Sequence, residues 1–258
     1  MLVACAVFVG DGVSGEREPG GEGAFAGVGE RAGVGVTGRR GLMPAAAAPV
    51  RRAAGYPAAR PRIVRRERWM AEGEPVPPPA RYAGRVQAVF VHHTDSPNSY
   101  DCADAPRIIR YLYAGQTEGR HWDDIGYNFL VDRCGTIYEG RAGGIDRPVI
   151  GAHTQGFNKG TAGVAAIGTF TAGVPVPKAM TDALAALSAW KLGLAGLDPR
   201  AEVRLASSNS LSKYPAGTSG RFDAVSGHND GYYTQCPGAA LSAELPAIRE
   251  RAARLQGR

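Results

Sequence analysis

The sequence has no apolar run long enough to cross a bilayer, so no membrane-spanning helix is expected from it. It has no HExxH and no paired CxxC, the compact signatures of a zinc site. No internal repeat is visible, which argues against a solenoid or propeller. Residues 1 to 60 lack any sustained apolar periodicity and hold 13 of the 36 glycines. Such a stretch cannot bury enough apolar surface to offset chain entropy, and it reads as a disordered, low-complexity region or linker. One globular domain of residues 61 to 258 is then expected.

A basic face is also missing. The net charge of +6 is carried mostly by residues 1 to 70, with 11 basic against 6 acidic groups; the remainder holds 19 against 18. A near-neutral folded part argues against nucleic acid as a partner. The basic tail suits an anionic surface such as a cell envelope, or is simply solvated. "MLVACAVFVG" at the start is apolar but lacks a basic region before it and a small-residue cleavage site after it. Arg39 and Arg40 in "TGRRGLMPAAAAPV" resemble a twin-arginine export signal with a weak apolar region.

What is present alternates between strands and helices. "RVQAVFVHHT", residues 85 to 94, has almost no polar face and reads as a buried central strand. In the next segment Asp104 suits an N-cap, Pro106 a first turn, and Ile108, Ile109 and Leu112 form an apolar stripe, which together predict a helix. "GYNFLVDRCGTIYEGR" predicts a hairpin turning at "DRCG". Ala162 to Phe170 reads as a second buried strand, and residues 177 to 196 as a strongly amphipathic helix. A polar loop is expected over 206 to 220, then one short strand "RFDAVSGH". The closing helix contains Pro246, which should kink or split it. The fold class is α/β, a central mixed β-sheet flanked by helices.

The chemistry-bearing residues are five histidines and Cys236. His92 and His93 end the most buried strand, and neighbouring side chains of an extended chain point to opposite faces. One of the two can therefore enter a site at the strand end. His228 also ends a short strand, with Cys236 eight positions on. Two imidazoles, one thiolate and an open position suit a catalytic rather than a structural zinc ion. Such an ion brings a bound water to a pKa of about 7. Taken alone, a His-x7-Cys pair is more often structural than metal-binding. If Cys236 is a ligand, Cys102 and Cys134 are left to pair or to stay free; paired, they imply an oxidising compartment.

The segments "VFVHHT", "WDDIGYNFLVDRCGTIYEGR", "IGAHTQGFN", "AGVAAIGTF" and "SGHNDGYYTQCPG", in this order, resemble the peptidoglycan recognition protein family and the related zinc-dependent N-acetylmuramoyl-L-alanine amidases of type 2. "RIVRRERW" is similar to the family's N-terminal flank, so the resemblance covers about residues 61 to 258. It implies one zinc ion on His92, His228 and Cys236. It further implies Tyr127 and Thr234 as catalytic residues, and Thr94, His153 and Asn158 along the substrate groove. Cys102 and Cys134 fall where the family places a disulfide. The implied partner is peptidoglycan or its muropeptides, met by a secreted monomer outside the cell or in its envelope.

Many animal members without the metal-binding cysteine bind peptidoglycan and do not cut it; Cys236 favours the amidase over a sensor module. A zinc peptidase cutting within the stem is the second rival. Three positions depart from the family: Gln116 where a groove histidine is common, "AGG" after "YEGR" where a pair separates stem types, and Asn229 for an arginine.

Overall fold

The computed structural model describes residues 58 to 258. The first 57 residues, with the Arg39–Arg40 motif and Cys5, lie outside the described residues. Ala58, near the end of the expected low-complexity region, already packs against the core.

Six strands form one mixed sheet: β1 (Ile63–Val64), β2 (Ala88–His93), β3 (Phe129–Val131), β4 (Ile137–Glu139), β5 (Thr161–Ala166) and β8 (Val225–Gly227), in the order β1-β4-β3-β5-β2-β8. Only the β3–β4 hairpin is antiparallel; every other pair is parallel. A separate two-stranded ribbon pairs β6 (Glu202–Ala206) with β7 (Ser219–Asp223). The helices are α1 (Ala105–Thr117), α2 (Lys178–Gly193), the short α3 (His228–Gly231) and α4 (Ala239–Leu255).

β2 is buried along its whole length, as its Val- and Phe-rich sequence requires of a strand covered on both faces. Val89 and Val91 face α2 and α4, within the largest apolar cluster. Ala88 and Phe90 face the other way, towards Phe157, Leu205 and Phe222. α1 covers that second face further along the sheet, with Ile109 and Leu112 against Leu130 and Ala165.

Four local expectations are corrected. Asp104 does not cap α1 with its side chain; a 3-10 turn (Cys102–Asp104) precedes the helix, and Asp101 caps that turn by accepting from Ala103 N at 2.9 Å. α2 is not strongly amphipathic in its surroundings, because α4 lies on its outer face and buries it nearly all round. "RFDAVSGH" is two strands in two sheets: Phe222 belongs to the ribbon and Val225 to the main sheet. Much of the expected polar loop is the turn of that ribbon, residues 207 to 218. α4 runs on through Pro246 unsplit. The missing hydrogen bond costs about 3 kcal/mol. Burial of Leu241, Leu245, Ile248 and Ala252 outweighs it.

The N-terminal flank is tied to the edge of the sheet. Arg66 pairs with Asp124 at 2.8 Å, both nearly excluded from solvent, and donates to Gly140 O at 2.6 Å. Trp69 Nε1 donates to Glu139 O at 2.7 Å. Asp124 in turn accepts from Ala142 N at 2.8 Å, so one carboxylate joins three segments.

Candidate metal centre

β2 and β8 are parallel neighbours with Val91 opposite Gly227. The next residue of each strand, His92 and His228, therefore emerges at the same carboxyl end of the sheet, where α/β folds place their sites. Their rings lie 4.3 Å apart. His92 continues the face of Phe90, whereas His93 points to the opposite face and accepts from Phe170 N at 3.3 Å. Alternation allows only one of the pair on this face; the resemblance named His92, and it is His92 that lies beside His228.

Cys236 arrives from the loop after α3. The Cys236–Pro237 bond is cis, and Gly238 has φ +90°. A Cβ on Gly238 would stand 2.2 Å from Phe170 O, so a side chain has no room there. Cys236 Sγ lies 3.8 Å from His92 Nδ1 and accepts from His93 N at 3.2 Å.

One donor atom from each of His92, His228 and Cys236 lies within 4.8 Å of the others, and all three residues are buried. Donors around a tetrahedral zinc ion are separated by about 3.3–3.9 Å. Both ring nitrogens of His228 are buried without a hydrogen-bond partner. A buried imidazole with no partner is costly unless something binds it, and a metal ion would satisfy it. Burial, and next the charge of His93, pushes the His228 pKa down to about 3. Burial, then His228, His153 and His93, holds His92 well below its ordinary value. Both rings are therefore neutral at pH 7, as a metal ligand must be.

His153 belongs to this group in a way the sequence reading did not anticipate. Its Nδ1 lies 3.3 Å from His92 Nε2, and Thr154 Oγ1 lies within 3.3 Å of both nitrogens. A metal ion on His92 Nδ1 would put the ring's proton on Nε2, towards His153 Nδ1 and Thr154 Oγ1. His153 Nε2 reaches Thr161 Oγ1 at 3.4 Å, and Thr161 donates to Phe157 O at 2.5 Å. Burial first, then the charges of His228 and Arg141, lowers the His153 pKa to about 3. Gly163 leaves room for this ring: a Cβ there would stand 2.3 Å from His153 Cγ.

Tyr127 is buried, with its ring 5.2 Å from that of His92. Both its neighbours are pinned. Gln116 Oε1 accepts from Gly126 N at 2.8 Å, while Asn128 bridges Val149 O and Gly163 N. Gln116, read from sequence as a change in the groove wall, is a buried support for this segment. Thr234 is half-buried, and its Oγ1 accepts from Cys236 N at 3.2 Å. Thr94 is fully buried; its Oγ1 accepts from Gly168 N at 2.9 Å and meets Ser96 Oγ at 2.8 Å. Asn158 Oδ1 accepts from His153 N and Thr154 N, each at 2.8 Å. Thr94 and Asn158 thus hold the loops on either side of the histidines. Gln116, Asp124, Asn128 and Thr154 escaped the sequence reading as site supports, because their partners are distant or on another element.

Cys102 and Cys134 form a disulfide with a Cα–Cα distance of 6.2 Å. It excludes a second metal cluster at Cys102, Asp132 and Cys134, since both sulfurs are used and Asp132 accepts from Cys134 N and Tyr138 Oη. Among the described residues no helix is long and apolar enough to cross a membrane.

Residues 82–239 match the family model Amidase_2, described as N-acetylmuramoyl-L-alanine amidase. The chain is 36% identical over 118 residues to peptidoglycan-recognition protein LE of Drosophila melanogaster, covering 46% of this chain and 33% of that one. It is 36% identical over 138 residues to an N-acetylmuramoyl-L-alanine amidase of Homo sapiens, covering 49% of this chain and 21% of the relative. The matches thus span a third or less of these relatives. The fold is similar to that of peptidoglycan recognition protein-LE in complex with tracheal cytotoxin, a monomeric diaminopimelic acid-type peptidoglycan. That likeness has a TM-score of 0.53 and 27% identity, and covers 72% of this chain and 92% of the other.

Proposed function

This chain belongs to the Amidase_2 family, and from that premise we propose that it is a zinc-dependent N-acetylmuramoyl-L-alanine amidase. Its reaction would cleave the amide between the lactyl group of MurNAc and the L-Ala of the stem peptide. The observation that carries this reading is the buried His92–His228–Cys236 cluster, in which His228 has two ring nitrogens and no protein partner.

Zinc held by these three side chains would supply a Lewis acid and an activated water at neutral pH. The protein's own residues would do the rest. His92 keeps a fixed ring orientation through His153 and Thr154. Tyr127, beside His92, would hold the nucleophile's proton and line of attack. Thr234 accepts from Cys236 N through its oxygen, which leaves its hydroxyl proton to be donated to the scissile carbonyl as charge develops there. Thr94, His153 and Asn158 would shape the groove through the loops they hold. The disulfide suits an oxidising setting, so we place the protein outside the cell or in its envelope.

The test is turnover of peptidoglycan by the purified chain, with mass spectrometry of the products. Free lactyl carboxylate and an intact stem are expected, lost on chelation and restored by zinc. Binding without any cleavage would make the protein a sensor, and shortened stems left on the sugar would make it a peptidase. Cys236→Ala should drop bound zinc from one ion per chain to none, together with activity; full zinc occupancy in that variant would overturn the ligand assignment.

A further inference from the structure

The loop that delivers Cys236 carries two adjacent tyrosines with opposite surroundings. Tyr232 is extended, with φ −136° and ψ 155°, and is 9% exposed. Its ring stacks on His228 at 5.5 Å with 16° between the planes. Tyr233 is 72% exposed, on the other side of this extended segment. No apolar cluster includes it.

The ring is nonetheless not isolated. Lys213 Nζ lies 5.8 Å from its centroid. Lys213 is itself fastened to α3, through its N–H to Gly231 O at 3.0 Å and its Nζ to Asn229 O at 2.5 Å. It comes from the turn of the β6–β7 ribbon, which Ser208 N ties to Gly156 O at 2.9 Å. Leu211, on the same turn, is 58% exposed. An aromatic ring two residues past α3 and an ammonium group fastened to α3 thus stand together at the surface, beside the element that begins with His228.

A tyrosine offers a large, rigid contact face with a polar tip and loses little entropy on binding. The Lys213 ammonium has three donors, and Asn229 O takes one. A flat ring beside free N–H donors matches a pyranose, which has a face of C–H groups and a rim of hydroxyl and amide oxygens. We propose that Tyr233, with Lys213, is a stacking platform for an N-acetylated sugar of the glycan strand, next to the sugar whose stem is cut. The proposal rests on the amidase reading for its choice of polymer, and it makes Tyr233 a specificity-determining residue that favours strands over single-sugar muramyl peptides.

The test compares full-length wild type with Tyr233→Ala, Tyr233→Trp and Lys213→Met. The two substrates are a glycan strand of several disaccharides bearing stems, and a muramyl tripeptide with one sugar. In Tyr233→Ala, KM for the strand should rise about tenfold, the scale of one aromatic contact, with kcat and the muramyl peptide unchanged. Tyr233→Trp should restore the strand KM, and Lys213→Met should give part of the loss. Equal losses on both substrates, or an unchanged strand KM, would overturn the platform. If wild type cleaves neither substrate, co-sedimentation with the strand separates the two ideas. Strand binding lost only in Tyr233→Ala keeps the platform while the amidase reading falls; strand binding unaffected by Tyr233→Ala removes the platform.

Discussion

His153 sits where a single side chain sets the behaviour of the cluster without contributing a donor to it. It meets His92 Nε2 at 3.3 Å and has its own far nitrogen turned to Thr161. Partners of this kind orient a ligand ring and typically change metal affinity by about 10–100-fold. His153→Ala should therefore weaken zinc binding by about that factor while still reaching one ion per chain at saturation. Competition against a chromogenic chelator measures it, and an unchanged affinity would reduce His153 to a packing residue. The sequence could name His153 only by resemblance. Its link to His92 crosses 61 positions, and no local pattern records such a contact. Gln116 shows the same limit: within "YAGQTEGR" it looks like a surface substitution, yet it is 6% exposed and accepts from Gly126 N.

At the scale of elements, β2 and β5 were the most legible, β6 went unread, and α2 was legible in its bounds but not in its surroundings. β2 and β5 announce themselves by runs of small or β-branched apolar residues. A strongly amphipathic helix keeps its charged side chains in water, and on α2 Lys191 departs from that. It is instead 3% exposed, under the loop after β4, where its Nζ donates to Ile145 O at 2.5 Å and Arg147 O at 2.9 Å. Burial, partly offset by Asp146, lowers its pKa from 10.5 to about 8. Between these two values the unfolded chain holds a proton that the folded chain has released, so stability must rise with pH across that window. Measured as denaturant stability relative to Lys191→Met, the wild type should gain about 3 kcal/mol from pH 8 to pH 10.5. A flat difference over that range would mean that the buried ammonium is as well accommodated as in water.

The whole molecule is held by ties between segments far apart in sequence. The disulfide joins the 3-10 turn before α1 to the β3–β4 turn across 32 positions, and the Arg66–Asp124 pair joins the N-terminal flank to the segment before Tyr127. Closing a loop of that length stabilises by about 3–4 kcal/mol in the chain-entropy account. Replacing both Cys102 and Cys134 by alanine should lower Tm, leave one zinc ion per chain, and leave strand cleavage intact below the new transition. In the wild type, thiol reagents should not reach Cys102 or Cys134 in denatured, unreduced protein; free reaction of both would contradict the bond.

By itself, the sequence determined the α/β class and the order of its main elements, and its resemblance to a family named the candidate donors His92, His228 and Cys236. Strand and helix periods, helix-start residues and turn glycines act over a few residues, and the chain states them locally. It also determined that only one of His92 and His93 could enter a site, because alternation along a strand is a property of the backbone. The tertiary structure alone decided what met what. Parallel pairing of β2 with β8 set His92 beside His228, and a tight turn at Gly238 brought in Cys236. The same packing divided residues 219 to 227 between two sheets and drew Lys191 under a loop. Such outcomes depend on register and on contacts summed over the whole chain, which no short stretch encodes.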